Sequence, residues 1–253
     1  MADTVPSPNA RPLAEAAWAA VREPLDLQLS PLGLRAMAAL APRPGERILD
    51  VGCGAGQTVV QLAEAVGPAG EVVGLDISPL LLDLARTLSA GRSNVGFVAG
   101  DAQTCALPAG RFDGVFSRFG VMAFADPEEA FHNLRRGLKP DGRLAFVCWR
   151  SLAENELDHL PLRAAALEGE ADATPFSFED PARIREVLHA AGFRDVAIEP
   201  HDQEVGSDGL EAMLDVLLSV GPLGKSCGRI RHFGAAPNRG FAARWRDGKA
   251  PAA

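Results

Sequence analysis

Short apolar runs alternate with amphipathic segments through the middle of the 253-residue chain. The apolar runs are typical of buried strands and lie at residues 47–52, 71–77, 94–100, 112–119 and 142–149. Amphipathic segments predict helices at residues 57–66, 78–88 and 127–138, and residues 101–111 predict a loop. Continuous apolar strands separated by amphipathic helices are typical of a parallel sheet covered on both faces. The pattern predicts an α/β fold with a Rossmann-like, doubly wound, mostly parallel sheet.

The flanking segments favour helices. Residues 13–25 and 30–42 predict two amphipathic helices, the second with Ser30 as its N-cap and Pro31 at its first position. After the core, helices are expected within residues 151–170, 177–193 and 207–221, whereas residues 196–205 alternate like a sixth strand. We therefore divide the chain into N-terminal helices (1–44), a core (45–150), substrate-side helices with a completing strand (151–224) and an atypical basic tail (225–253).

Composition narrows the class of protein. Hydrophobic residues make up 47% and charged residues 23%, which is ordinary for a globular chain. The formal net charge of −8 argues against nucleic acid as a partner, because a phosphate backbone requires a basic surface. The four cysteines lie far apart, which favours a reducing compartment and predicts neither a disulfide framework nor a metal site. With no secretory signal and no long apolar run, we expect a cytoplasmic protein without a membrane span.

The stretch ILDVGCGAGQ places a glycine turn directly after the first strand. Its glycines, Gly52, Gly54 and Gly56, do not fit the G-x-G-x-x-G spacing of a dinucleotide clamp, because position 57 is Gln57. Asp50, just before the turn, would repel a phosphate but suits an amino group or a positive sulfur. The turn predicts a nucleoside ligand with some cationic charge. Glycines that only let the helix pack closely against the sheet are the alternative.

Two further carboxylates follow the next strands. Asp76 ends the second strand, where a carboxylate accepts hydrogen bonds from ribose hydroxyls, although capping of the next helix is an alternative role. Asp101 follows the third strand and can accept from an adenine amino group. Because the ends of parallel strands meet at one sheet edge, these acids and the glycine turn predict one adenosine-binding site.

Together these motifs resemble class I S-adenosylmethionine-dependent methyltransferases, in the small-molecule branch similar to ubiquinone and menaquinone C-methyltransferases. The resemblance rests on ILDVGCGAGQ, VVGLDIS, VAGDAQTCALP, FDGVFSRFGVMAFADP and LKPDGRLAFVCWR, and is close over residues 45–150. It implies S-adenosylmethionine as the cofactor, in-line methyl transfer to a small-molecule acceptor, and a seven-stranded sheet whose last strand is antiparallel. The cofactor contacts that it implies are Asp50, Gly52, Cys53, Gly54, Gly56, Asp76, Ile77, Asp101, Ala102, Ser117 and Arg118.

The resemblance also implies a role for each part of the site. The three glycines line the methionine part of the cofactor, and Asp50 lies near its amino group. Asp76 holds the ribose, Asp101 with Ala102 holds the adenine, and residues 117–118 border the sulfonium.

The catalytic group is left open by the sequence. His159 and Arg118 are the candidates for a catalytic role. The alternative for His159 is a plain position on a surface helix, and the alternative for Arg118 is a structural ion pair with Asp113 or Glu129. His132 is expected to face outward from its helix. Two other functions compete with methyl transfer: a nicotinamide-dependent oxidoreductase, which Asp50 and the glycine spacing disfavour, and a non-catalytic S-adenosylmethionine-binding protein.

The end of the chain departs from the family pattern. Residues 225–253 carry seven Lys or Arg and one acid, which leaves 18 basic and 32 acidic residues before them, a net charge of −14. The segment GRIRHFGA is the only candidate for a seventh strand, and its charges suit an internal strand poorly. We therefore expect the final antiparallel strand to be absent or atypical. The basic ending is a solvated tail or the product of a reading-frame change.

Overall fold

A computed structural model of the chain describes residues 10–167, 169 and 171–232. The described residues form five strands: β1 (Arg47–Val51), β2 (Glu71–Asp76), β3 (Val95–Ala99), β4 (Phe112–Arg118) and β5 (Leu138–Val147). They also form nine α-helices: α1 (Ala10–Ala20), α2 (Arg22–Leu40), α3 (Gln57–Val66), α4 (Pro79–Leu88), α5 (Pro127–Gly137), α6 (Glu156–Ala164), α7 (Pro181–Ala190), α8 (Leu210–Ser219) and α9 (Gly221–His232). The predicted strands and helices of the core are confirmed, with β5 starting four residues early.

The five strands form one sheet in the order β3-β2-β1-β4-β5, and every pairing is parallel. The chain moves outward from β1 to β3 on one side and then returns to place β4 on the other side of β1. In open parallel sheets, ligands bind outside the carboxyl ends of the strands where the strand order reverses. The fold therefore places its natural crevice at the ends of β1 and β4.

Both faces of the sheet are buried, as the continuous apolar strands predict. On one face Leu49 packs in a cluster with Phe131 of α5 and Val187 of α7. On the other face Ile48 packs with Leu62 of α3 and with Leu40 of α2. Because side chains alternate along a strand, Asp50 points to the same face as Ile48, toward α2 and α3.

The predicted break within the N-terminal helices was wrong. α2 runs without interruption from Arg22 to Leu40, so Pro31 lies inside it and Ser30 is not an N-cap. The Ser30 hydroxyl instead accepts a hydrogen bond from the amide of Gln61 on α3 at 3.2 Å. Packing against β4 and β5 buries one side of α2 over much of its length, and this tertiary contact outweighs the local preference of Pro31 for a helix start.

The predicted sixth strand at residues 196–205 was also wrong. Val196 and Ile198 still pack on the core, and Ala197 and Glu199, which alternate with them, are exposed, but the described residues there pair with no strand. In the family that the sequence resembles, this segment is expected to pair with an antiparallel last strand that lies beside β5. The candidate for that strand, residues 228–235, is helical as far as His232, and its remaining residues lie outside the described part of the chain. Within the described residues β5 is consequently the edge of the sheet.

Candidate functional site

The three glycines of the turn after β1 serve different purposes. All three have positive φ: +69° at Gly52, +53° at Gly54 and +92° at Gly56. A Cβ on Gly52 would lie 2.7 Å from the Cα of Gly120, and one on Gly56 would lie 2.8 Å from the Cβ of Ala85. A Cβ on Gly54 would meet no described atom within 4 Å. Close packing therefore accounts for the outer two glycines, and Gly54 faces the open space that a ligand requires.

Asp50 is buried with one of its oxygens unused. The residue has no exposed surface, and its Oδ2 accepts a hydrogen bond from the Thr58 hydroxyl at 2.5 Å. Its Oδ1 is buried and has no hydrogen-bond partner among the described residues. Burial raises the pKa of Asp50 to about 7, although the Thr58 hydrogen bond and the positive charge of Arg118 oppose the rise. A cation beside Oδ1 would relieve this cost, so the site fits a ligand that carries an ammonium group.

Asp76 connects the end of β2 to the glycine turn. Its Oδ2 accepts the backbone N–H of Gly54 at 2.8 Å, and its Oδ1 accepts the backbone N–H of Ser78 at 2.9 Å. Ser78, and not Asp76, is the N-cap of α4, since its hydroxyl accepts the N–H of Leu81 at 3.2 Å. A carboxylate oxygen can accept more than one hydrogen bond, so Asp76 keeps capacity for ribose hydroxyls while its orientation is fixed.

The loop after β3 holds the third acid. The Oδ1 of Asp101 accepts the backbone N–H of Gln103 at 2.9 Å, which folds the loop back at the sheet edge. Ala102 is buried, and its carbonyl accepts a hydrogen bond from the Asn133 amide at 2.8 Å. Ile77, half exposed at the end of the neighbouring strand, provides apolar surface at the same edge. The edge can therefore offer a carboxylate and an apolar side chain to a purine ring.

Ser117 ties the ends of β1 and β4 together. It is fully buried, and its hydroxyl donates to the carbonyl of Val51 at 2.7 Å and accepts the N–H of Gly120 at 3.1 Å. The hydrogen-bonding groups of this hydroxyl are thus engaged within the protein. Its contribution is to hold Gly120 against Gly52 and so fix the floor of the site.

Arg118 points toward α2. Its guanidinium forms an ion pair with Asp26 at 2.6 Å and donates to the side-chain oxygen of Gln57. The arginine stem lies over Gly33, where a Cβ would come within 2.8 Å of Arg118 Cδ. Arg118 does form a structural ion pair, the alternative that the sequence left open, but with Asp26 and not with Asp113 or Glu129, because α2 covers this face of β4.

Asp113 pairs with Lys139 at 2.6 Å. The pairing of Arg118 with Asp26 was not predicted from the sequence, because the two residues are 92 positions apart and no local pattern connects them.

The histidine candidates are placed differently. His132 is exposed on α5, as expected, and His159 is half-buried on α6. Two aromatic residues follow the ends of β4 and β5, Phe119 and Trp149, whose rings stack with centroids 4.1 Å apart and pack against the core. Among the described residues, no group of three His, Cys, Asp or Glu side chains is arranged to hold a metal ion. The helices in that part of the chain are all too short or too polar to cross a membrane.

Known proteins are similar to this chain in sequence and in fold. Residues 48–142 match the family described as a methyltransferase domain. Nocamycin O-methyltransferase from Saccharothrix syringae is 34% identical over 203 residues, which are 73% of this chain and 72% of that enzyme. Demethylmenaquinone methyltransferase from Staphylococcus aureus is 38% identical over 114 residues, but these are 45% of this chain and 46% of that enzyme. The structure of a SAM dependent methyltransferase from Aquifex aeolicus has a similar fold, with a TM-score of 0.57, 22% identity, and coverage of 71% of this chain and 88% of that one.

Proposed function

Since the chain belongs to the S-adenosylmethionine-dependent methyltransferase family, we propose that the carboxyl ends of β1, β2 and β3 bind S-adenosylmethionine and that the protein methylates an oxygen atom of a small molecule. The relative that matches 73% of this chain is named an O-methyltransferase, which supports oxygen as the atom that is methylated. Membership of this family removes the oxidoreductase alternative.

The unpaired Oδ1 of Asp50 is the observation that carries the cofactor assignment. A fully buried carboxylate oxygen without a partner is unfavourable, and the amino group of the methionine end would satisfy it. Gly54 leaves room beside the turn for that end of the cofactor, because it carries no side chain there. Asp76 then holds the ribose, and Asp101 with Ala102 and Ile77 borders the adenine.

The protein acts on the reaction mainly by positioning. When bound, S-adenosylmethionine would supply an activated methyl group: the acceptor oxygen would form the new bond, the sulfur would keep the electron pair of the broken bond, and the hydroxyl proton would pass to water. Alignment of two reactants in a fixed geometry can lower a barrier by about 7–11 kcal/mol. Here Ser117 and Gly120 fix the end of β4 against β1, so the walls of the site keep their places during transfer.

Calorimetric titration with S-adenosylhomocysteine tests the cofactor assignment. We expect binding to the wild-type protein and a loss of roughly 10–100-fold in affinity for Asp76→Asn, because the neutral amide accepts hydrogen bonds more weakly than the carboxylate does. Asp83→Asn is the matched control, since Asp83 is an exposed carboxylate on α4 that pairs with Arg86. Equal affinities for the two variants would contradict the ribose role of Asp76.

Transfer of a labelled methyl group tests the reaction. The purified protein is incubated with methyl-labelled cofactor and a panel of small hydroxylated molecules, and labelled ether products are sought by mass spectrometry. If the protein binds the cofactor but no labelled product is detected, the result would instead favour a non-catalytic S-adenosylmethionine-binding protein.

A further inference from the structure

A cleft adjoins the glycine turn on the side of α2. It is open to solvent and has a volume of about 480 Å³ between the starts of α2, α3 and α8. The residues that line it are Glu23, Pro24, Leu27, Gln57, Asp208 and Ala212. Its volume is within the range of small-molecule sites. Gln57 is the first residue of α3 and directly follows Gly56, so the cleft opens beside the expected methionine end of the cofactor.

Gln57 has a fixed orientation in this cleft. The guanidinium of Arg118 donates to the side-chain oxygen of Gln57, and Arg118 is held in turn by Asp26. The Arg118 and Asp26 side chains are only 12% and 21% exposed, so this ion pair is largely shielded from water. Gly33 gives the arginine stem the space to reach along α2. A glutamine whose oxygen is occupied presents its two amide N–H groups as donors.

The charges around the cleft select against acids. Its ionisable lining residues, Glu23 and Asp208, are both carboxylates. The charge of Glu23 is offset by Arg22 at 2.7 Å, and that of Arg118 is offset by Asp26, so no unbalanced cation on these residues attracts an anionic ligand. The other lining residues, Pro24, Leu27 and Ala212, are apolar and suit a hydrocarbon skeleton.

We propose that the cleft between α2 and α8 is the methyl-acceptor site, that it takes an uncharged, largely apolar molecule bearing an oxygen, and that Gln57 determines specificity by donating to that oxygen. Arg118 and Asp26 are positioning residues that orient the Gln57 amide. This assignment rests on the proposed function, since a cleft beside the glycine turn is an acceptor site only in a protein that binds the methyl donor.

Two leucines of α2 provide a matched pair of variants. Leu27 lines the cleft and is 46% exposed, whereas Leu34 lies two turns further along the helix, is 49% exposed and does not line the cleft. Leu27→Trp fills the cleft, and Leu34→Trp adds the same bulk to an equally exposed position. Gln57→Leu removes the amide donor.

The probe is 2-naphthol, titrated by calorimetry into protein saturated with S-adenosylhomocysteine, with 2-naphthoate as the acidic analogue. We expect 2-naphthol to bind the wild type, with roughly tenfold or greater loss of affinity in Leu27→Trp and in Gln57→Leu. Leu34→Trp should stay within about twofold, and 2-naphthoate should bind the wild type at least tenfold more weakly than 2-naphthol. Asp26→Asn should weaken 2-naphthol binding, and Asp26→Glu should restore it in part.

The following outcomes would overturn the acceptor assignment. No saturable 2-naphthol binding to the wild type, or equal effects of the two tryptophan substitutions, would place the acceptor elsewhere. Loss of S-adenosylhomocysteine binding in Leu27→Trp would mean that the cleft holds part of the cofactor. Failure of the wild-type protein to bind S-adenosylhomocysteine at all is a distinct result, since it would defeat the proposed function itself.

Discussion

Replacement of Asp50 by asparagine should stabilise the protein and remove its affinity for the cofactor. The carboxyl group of Asp50 is completely buried, and its Oδ1 is unpaired among the described residues. Asparagine has nearly the same shape, and its side-chain oxygen can still accept the hydrogen bond from Thr58. The substitution therefore replaces a buried charge with a neutral amide, whose NH2 group takes the unpaired position of Oδ1.

The size of the effect follows from the pKa of Asp50. Burial raises this pKa from 3.8 to about 7, so the folded protein retains a proton that the unfolded chain has already lost. The stability that this proton provides is complete below the unfolded pKa and is lost as the pH rises through the folded pKa. At 1.36 kcal/mol per pKa unit, the wild type should lose about 3 kcal/mol between pH 5 and pH 8 through this group. The Asp50→Asn variant should not show this loss of stability with rising pH.

Urea unfolding of the ligand-free proteins at pH 5 and pH 8 measures the effect. The stability of Asp50→Asn relative to the wild type should rise by about 3 kcal/mol over this interval. Asp83→Asn, which alters an exposed carboxylate, should show no comparable change. If the difference between Asp50→Asn and the wild type stays constant with pH, Asp50 does not titrate as a buried group and the reasoning is refuted.

Cofactor binding is the second readout for the same variant. If Asp50 receives the ammonium group, the wild type should bind S-adenosylhomocysteine more weakly as the pH falls below about 7, by up to tenfold per unit, because binding then requires loss of the Asp50 proton. Asp50→Asn should bind weakly at every pH. A variant that gains stability and keeps full affinity would show that the cofactor lies elsewhere.

Three further substitutions test individual contacts and buried groups of the structure. Gly120→Ala would place its Cβ 2.5 Å from the carbonyl oxygen of Val51, so we expect a loss of about 1–3 kcal/mol in urea unfolding, and an unchanged midpoint would show that this contact is looser than described. Ser78→Ala removes the hydroxyl that caps α4 through the N–H of Leu81 and should lower stability by about 1 kcal/mol; thermal melting that matches the wild type would count against the cap. Burial raises the pKa of Asp158 to about 6, so its stabilising proton is lost as the pH rises through that value; Asp158→Asn should gain in stability relative to the wild type between pH 5 and pH 7, and parallel pH profiles would exclude this.

The sequence was sufficient to predict elements whose signals are local. The strands at the centre of the sheet are continuous apolar runs, and the helices around them have strong caps, such as Ser78 before α4 and Asp126 before α5. Parallel pairing follows once strands and helices alternate. For the same reason the acids Asp50, Asp76 and Asp101 could be assigned to one sheet edge before the structure was known.

The features that the sequence did not predict correctly depend on interactions between distant parts of the chain. Pro31 is a local signal for a helix start, but contacts of α2 with β4 and β5 extend the helix through it. Residues 196–199 alternate in burial as a strand does, but strand formation requires a partner that the described residues do not supply. The ion pair of Arg118 with Asp26 spans 92 positions, and no periodicity in the sequence indicates it.

The unfavourable burial of Asp50 is tolerated because the surrounding backbone cannot rearrange to relieve it. The Ser117 hydroxyl joins the ends of β1 and β4, and the close contact of Gly52 with Gly120 leaves no room for either strand end to shift. Asp76 fixes Gly54 from the other side through its backbone N–H. A carboxylate held in this way cannot turn toward water, so a ligand that brings a positive charge offsets the cost of burying its ionised form. We therefore expect the site to bind a cationic nucleoside and to bind anions weakly, for the same physical reason.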